Sequence, residues 1–248
     1  MAVPVSQDSV RNRLLRSMAA EDFALLRPHL TPVELPLRSI IETPGKPIES
    51  ACFIESGICS IVVVGSNDEQ SEVGHVGREG MSGRAILLGS RRPSNRMLIQ
   101  VSGSALSIGA MPLLDAIERS RTLRDLLFRY IQTVDVQVAH TILAATRFNV
   151  HQRLARWLLM CHDRLDGHDL PLTHELLSLM LSVRRASVTQ EIQVLEGLGA
   201  IKATRGNIRI VDRTRLIHLT AGCYGIPERE YDKLIQPARA KEARAANR

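Results

Sequence analysis

PLTHELLSLMLSVRRASVTQEIQVLEGLGAIKATRGNIRIVD, residues 171–212, sets two helical periods and one β period in close succession. Thr173 has a hydroxyl suited to capping a helix, Glu175 lies in the first turn where the helix dipole favours a carboxylate, and Leu176, Leu179 and Met180 supply an inward stripe. A second helix runs from about Arg184 to Leu195. Its apolar residues Val188, Ile192 and Leu195 fall at i, i+4 and i+7, which leaves Ala186, Thr189, Gln190 and Gln193 outward, with Arg185 on the flank. Gly197 and Gly199 end it. IKA and IRIV then flank Thr204, Arg205, Gly206 and Asn207, the chemistry of a two-stranded hairpin. Two helices across a tight turn followed by a basic hairpin predict a winged helix-turn-helix. In that arrangement the second helix enters the major groove of double-stranded DNA and the wing touches the backbone. A helical hairpin packed in a core has no need of a polar outer face and an arginine-bearing wing.

The charge agrees with this. The 248-residue chain is long enough for two domains, and at 44% hydrophobic and 23% charged it has the composition of a folded globular protein. Residues 1–146 hold as many acidic as basic side chains, so the whole excess of +6 lies in the part that carries the helix-turn-helix. A positive field there serves nucleic-acid binding, because each neutralised phosphate releases condensed counterions. No apolar run approaches the about 20 residues that span a bilayer, and the N-terminus lacks the pattern of a secretion signal. These features predict a cytoplasmic protein with no membrane partner. Cys52, Cys59, Cys161 and Cys223 are scattered, without a CxxC pair or a histidine at ligand spacing, so no metal or other cofactor is expected. Nucleophile elbow, phosphate-binding loop and metal triad are also absent, which argues against an enzyme.

Upstream the pattern changes twice. Residues 9–27 have helical spacing closed off by Pro28 and Pro32. Between about Val33 and Ile108 come the short β-rich pieces VEL, SII, ACFIES, ICSIVVV, SEVGHV, RMLIQV and ALSI, punctuated as in a small antiparallel barrel or jelly roll. Only Gly80–Gly83, leading into AILLG, interrupts them with a short helix. After Pro112, Leu123, Leu127, Tyr130, Val134, Gln137, Thr141 and Ala144 recur at spacings of four and three, a heptad seam. A helix of about 24 residues would run about 36 Å, longer than a small barrel can cover. The seam could meet the barrel or the same helix of a second subunit, and this length favours the second. A further amphipathic helix, HQRLARWLLMCHDRL, leads on to residue 171.

This α+β order resembles the cyclic-AMP receptor/fumarate-nitrate regulator (Crp/Fnr) family over nearly the whole chain. The resemblance rests on HQRLARWLLM, on LPLTHELLSLMLSVRRASVTQEIQVLEGLGAI with RGNIRIVD, and more weakly on FIESG and GREGMSG. It implies a cyclic-nucleotide-binding-like β-roll over 1–120, a dimerisation helix over 121–147 and a winged helix-turn-helix over 148–222. The tail over 223–248 extends beyond that minimal winged domain, with one more helix expected after Gly222 and a disordered end. The resemblance also implies a homodimeric transcription regulator that, as an activator, would contact RNA polymerase. The family's base-reading pattern R-E-x-x-x-R falls on Arg185, Ala186 and Gln190, so only its first arginine is kept. Arg185 suits guanine, Gln190 adenine, and Ala186 a thymine methyl, which predicts a different half-site. Thr173, Arg184, Ser187, Thr189 and Gln193, with Lys202 and Arg205 of the wing, complete the expected DNA surface. Ser182 stands where the turn usually has glycine. In the sensor, the ribose-binding Gly-Glu and phosphate-binding Arg-Ser of cyclic-nucleotide binders fall on Gly83, Arg84, Asn95 and Arg96, so the effector is unknown and cyclic AMP is not expected. A small-molecule sensor with incidental DNA contacts is the alternative.

Overall fold

The computed structural model describes residues 5–67 and 69–235. Seven strands form the N-terminal roll: β1 (Thr31–Leu35), β2 (Ile40–Glu42), β3 (Ser50–Ile54), β4 (Ile58–Val64), β5 (Gln70–Val76), β6 (Arg96–Val101) and β7 (Gly103–Gly109). They correspond one for one to the β-rich pieces of the sequence. They lie in two antiparallel sheets ordered β1-β7-β3 and β2-β6-β4-β5, which close over a core containing Phe53, Ile61, Met81, Met97 and Ile99. The spacing over 9–27 resolves into two helices, α1 (Arg13–Ser17) and α2 (Ala20–Leu26), rather than one. The break is fixed by extended backbone at Met18 and Ala19. Asn12 caps α1 and also donates to the carbonyls of Ile54 and Gly80, which anchors α1 to the roll.

A short helix α3 (Arg84–Leu87) separates β5 from β6, and α4 (Ala110–Arg119) leads from β7 into α5 (Arg121–Arg147). The seam expected to meet a second subunit is spent inside this chain. Leu123, Leu127, Tyr130 and Val134 are buried in the core of the roll, and Gln137 is buried against β5, where its Oε1 accepts from the His75 N–H at 2.7 Å. The helix outruns the roll only at its far end, so its length is a poor guide to what covers its first four turns. A different stripe stays open: Phe128, Gln132, Asp135, Ala139, Ile142 and Thr146, again at spacings of four and three, with Leu143 beside it.

The second half begins with α6 (Val150–His162), opened by a capping box between Asn149 and Gln152. The two-residue strand β8 (Asp169–Leu170) follows, then α7 (His174–Leu181), α8 (Arg185–Gly197), β9 (Ile201–Thr204), β10 (Asn207–Ile210), α9 (Arg213–Leu219) and α10 (Ile226–Ile235). A second core of Leu154, Leu158, Leu177, Val188, Ile192, Leu195, Ile208 and Leu216 holds these elements up to α9 together and takes in Ile58 and Val101 from the roll, whereas Tyr231 and Ile235 of α10 join the core of the roll. The inward stripe of α7 is Leu177, Met180 and Leu181; Leu179 is exposed, one register away from the expected Leu176, Leu179 and Met180. The displaced leucines face a cleft against the roll. The helix expected after Gly222 is α10, which packs back on α5; the end of the extension lies outside the described residues. Among the described residues no helix is long and apolar enough to cross a membrane.

Candidate DNA-reading surface

The turn between α7 and α8 is built from Ser182, Val183 and Arg184. Thr173 caps α7 by accepting from the Leu176 N–H at 3.2 Å, which engages its hydroxyl within the protein. Ser182 closes α7 in the left-handed conformation, φ 51° and ψ 47°, which costs a non-glycine residue about 1 kcal/mol or more. Its Oγ recovers little, a single exposed bond of 3.1 Å to Ser71. Ser182→Gly should raise stability by about 0.5–1 kcal/mol in urea denaturation. A destabilised variant would mean that the Ser71 contact outweighs the backbone strain.

Arg184 takes the N-cap place of α8 without a side-chain cap, and no acidic residue lies in the first turn. The helix therefore presents its positive end, with the exposed guanidinium groups of Arg184 and Arg185 beside it, to whatever anion approaches. Val188, Ile192 and Leu195 are buried as expected, which turns Arg185, Ala186, Gln190 and Gln193 to solvent. Thr189 is half-buried, because its hydroxyl lies 3.0 Å from His174 Nδ1 and donates to the Arg185 carbonyl. Arg205 and Gly206 form the tip of the β9–β10 hairpin, with Gly206 at φ 76°, and Lys202 is exposed on β9.

The ten expected residues do not share one open face. Arg185, Thr189, Gln193 and Arg205, with Thr173, line a groove of about 860 Å³ between α8 and the wing. Thr173 also borders the cleft of about 1080 Å³ where Arg184 and Ser187 look across at Leu37, Arg38 and Gln100 of the roll. Ala186, Gln190 and Lys202 border neither. Three supporting residues have no counterpart among the expected ones. His174 positions Thr189, Glu196 accepts from the Ala203 N–H at 2.8 Å and so fixes the wing to α8, and Asp169 adds a third strand whose carboxylate takes the Asn207 side chain at 2.9 Å. None has a local pattern, since each partner lies 7 to 38 residues away along the chain.

In the roll, Gly83 adopts φ 81°, and a Cβ there would come within 2.6 Å of that of Ala51. Its N–H donates to Glu42 Oε1 at 2.6 Å, so the amide of this expected effector residue is engaged within the protein. Arg84 follows at the start of α3, while Asn95 and Arg96 lie half-buried at the start of β6. Just ahead of Gly83, Tyr130 is buried against the chain: its hydroxyl accepts from the Met81 N–H and donates to the Met81 carbonyl, both at 2.9 Å, and the ring lies against Gly80. Burial pushes the Glu42 carboxyl up, against the lowering effect of the Gly83 hydrogen bond and Arg84. With its folded value above the ordinary 4.5, the native state holds the proton more tightly, so stability falls as pH rises from 4.5 through the folded value. Glu42→Gln, which keeps the acceptor for Gly83, should flatten that decline and be at least as stable as wild type at pH 7 in thermal melts. Among the described residues no cluster of three or more metal-ligating side chains forms.

Comparison with known proteins agrees with this geometry. Residues 152–219 match the family model of the Crp-like helix-turn-helix domain. No curated protein matches the chain. Among solved structures, FixK2 from Bradyrhizobium japonicum superposes with a TM-score of 0.67 at 15% identity, covering 77% of this chain and 96% of that one. A protein of Eubacterium rectale described as Crp/Fnr-family superposes at 0.64 and 18% identity, covering 84% and 98%. The Crp/Fnr-family regulator TTHA1359 of Thermus thermophilus gives 0.63 and 19%, covering 77% and 99%.

Proposed function

We propose, from the premise that this chain is a DNA-binding transcriptional regulator of the Crp/Fnr type, that it binds a near-palindromic site as a homodimer, with α8 of each subunit in a major groove. One observation carries this reading: the uncapped, acid-free start of α8 holds Arg185 exposed, beside an outward row of Ala186, Gln190 and Gln193 and a basic wing. Arg185 reads guanine, Gln190 reads adenine, and Lys202 and Arg205 take phosphates. Arg184 and Ser187 meet the backbone at the start of the helix. Half-sites lie about 34 Å apart, one helical turn.

The subunits meet along the open stripe of α5, Phe128 to Thr146, since the seam beneath it is already covered. Phe128 is 45% and Ile142 56% exposed, large apolar side chains in heptad register that a partner helix would bury. Ile142→Asp should weaken dimerisation by at least about thirtyfold, seen as a shift to monomer in sedimentation velocity. A variant that stayed dimeric at the concentration where wild type does would place the interface elsewhere. The experiment that tests the function as a whole is selection of bound DNA from a random pool by the purified protein without added ligand. A two-fold symmetric site is the expected result, and recovery of no common sequence would sink the reading.

A further inference from the structure

A cavity of about 330 Å³ lies between β5, α5, the end of α6 and the helix α10 that roofs it. It is of the size of small-molecule sites, about 300–1,000 Å³. Part of its wall comes from α10, beyond the helix-turn-helix match, and it borders none of Gly83, Arg84, Asn95 or Arg96. We infer that this cavity binds a small uncharged molecule through an amide or lactam edge.

Three residues of the wall set the hydrogen-bonding pattern. His75 is fully buried, with Nδ1 3.1 Å from Glu72 Oε1, an oxygen that also accepts from Trp157 Nε1 at 2.8 Å. The neighbouring carboxylate accepts from the Nδ1–H, and in the neutral ring this makes Nε2 the acceptor. Nε2 has no partner, an unmet buried polar atom of the kind folded proteins rarely leave. Gln137 is oriented without ambiguity, because its Oε1 accepts the His75 backbone N–H at 2.7 Å. Its amide N–H₂ is thereby left as a donor on the same wall. Thr133, one helical turn earlier, donates to the Tyr130 carbonyl at 2.7 Å and keeps lone pairs to offer. One donor among acceptors complements a molecule with adjoining C=O and N–H groups.

The charges of the wall are already paired, which disfavours an ion. Arg164 pairs with Glu79 at 2.7 Å, Arg13 with Asp232 at 2.6 Å, Arg78 with Asp166 at 2.8 Å and Asp163 with Arg213 at 2.6 Å. Glu228 accepts from the Gly225 N–H at 3.1 Å and lies in the field of the buried Arg156 and Arg164. A charged ligand would meet counter-ions already engaged and would be desolvated without return.

Trp157, the only tryptophan, reports on the site, because its ring meets that of His75 edge-on at 5.8 Å. The full-length protein is titrated with uracil, hydantoin and 2-pyridone, and in parallel with propionate and propylammonium, while Trp157 emission and the melting temperature are followed. At least one cyclic amide should give a saturable emission change and raise the melting temperature, with no response to the ions. Thr133→Val, close to isosteric, and Gln137→Glu, which keeps the oxygen that accepts from His75, should each weaken binding about tenfold while leaving the circular dichroism unchanged. Silence from all three amides, equal binding by the ions, or undiminished binding in both variants would overturn the inference. No DNA enters the measurement, so its failure is distinct from failure of the DNA reading.

Discussion

Arg185→Ala should lower affinity for the selected DNA site by about tenfold or more and erase the preference at one base position of each half-site. The size follows from the geometry of the residue. Arg185 opens α8 as its first helical residue, exposed, with the half-buried Ser187 and the buried Val188 holding the helix axis behind it. A guanidinium so placed can give two parallel hydrogen bonds to O6 and N7 of guanine, worth about 1–3 kcal/mol of discrimination in each half-site. Gln190→Ala should relax a different position, the one where Gln190 is proposed to read an adenine. The wing should behave otherwise. Arg205 at the hairpin tip is the proposed phosphate contact, so Arg205→Ala should weaken all sequences alike and reduce the slope of log affinity against log salt by about 0.9 for each phosphate no longer neutralised. Fluorescence anisotropy over a series of salt concentrations, on the selected site and on single-base variants, separates the two behaviours. If Arg185→Ala weakened every sequence equally, α8 would be a backbone anchor and base reading would have to come from elsewhere.

The geometry of the proposed reading surface was legible because its signals are local. Val188, Ile192 and Leu195 determine which way Arg185 and Gln190 point, whatever α8 packs on, and Thr204 to Asn207 specify their own turn. The seven strands were legible for the same reason. What the sequence concealed was the identity of the partner that each apolar stripe meets. On α5 two heptad rows lie side by side, and the more apolar one, Leu123 to Val134, belongs to the roll of the same chain. Periodicity reports that a face is buried but not against what. On α7 the ambiguity was between adjacent rows: Leu176 and Leu179 border the cleft to the roll, while Leu177 and Leu181 enter the core. The cavity under α10 could not be foreseen at all. His75, Gln137 and Arg164 come from three elements far apart in sequence, and each alone reads as an ordinary strand or helix residue.

Glu79→Ala should destabilise the protein by about 3–5 kcal/mol, because it strands a buried cation. Only 7% of the Arg164 side chain remains accessible, and Glu79 is nearly as enclosed. Burial pulls the Arg164 proton affinity down, but the carboxylates of Glu79, Glu228 and Asp163 more than reverse this, so the guanidinium stays charged. Its Nε gives a 2.7 Å bond to Glu79 and its Nη1 another of 2.7 Å to the Met160 carbonyl. Glu79 also accepts from the Gly77 N–H at 3.1 Å through its other oxygen, and its carbonyl takes the Tyr231 hydroxyl, so the pair ties the end of β5, α6 and α10 together. Gly77 is required beside it, since a Cβ there would lie 2.8 Å from that of Arg164. The double variant Glu79→Ala, Arg164→Met should be more stable than Glu79→Ala alone, because it removes the stranded charge and leaves apolar volume in its place. Urea unfolding of the wild type, both single variants and the double gives the coupling between the two residues directly. Losses that simply added would show that the cation finds solvent or another carboxylate once Glu79 is gone, and that the pair is not what holds α10 to the roll.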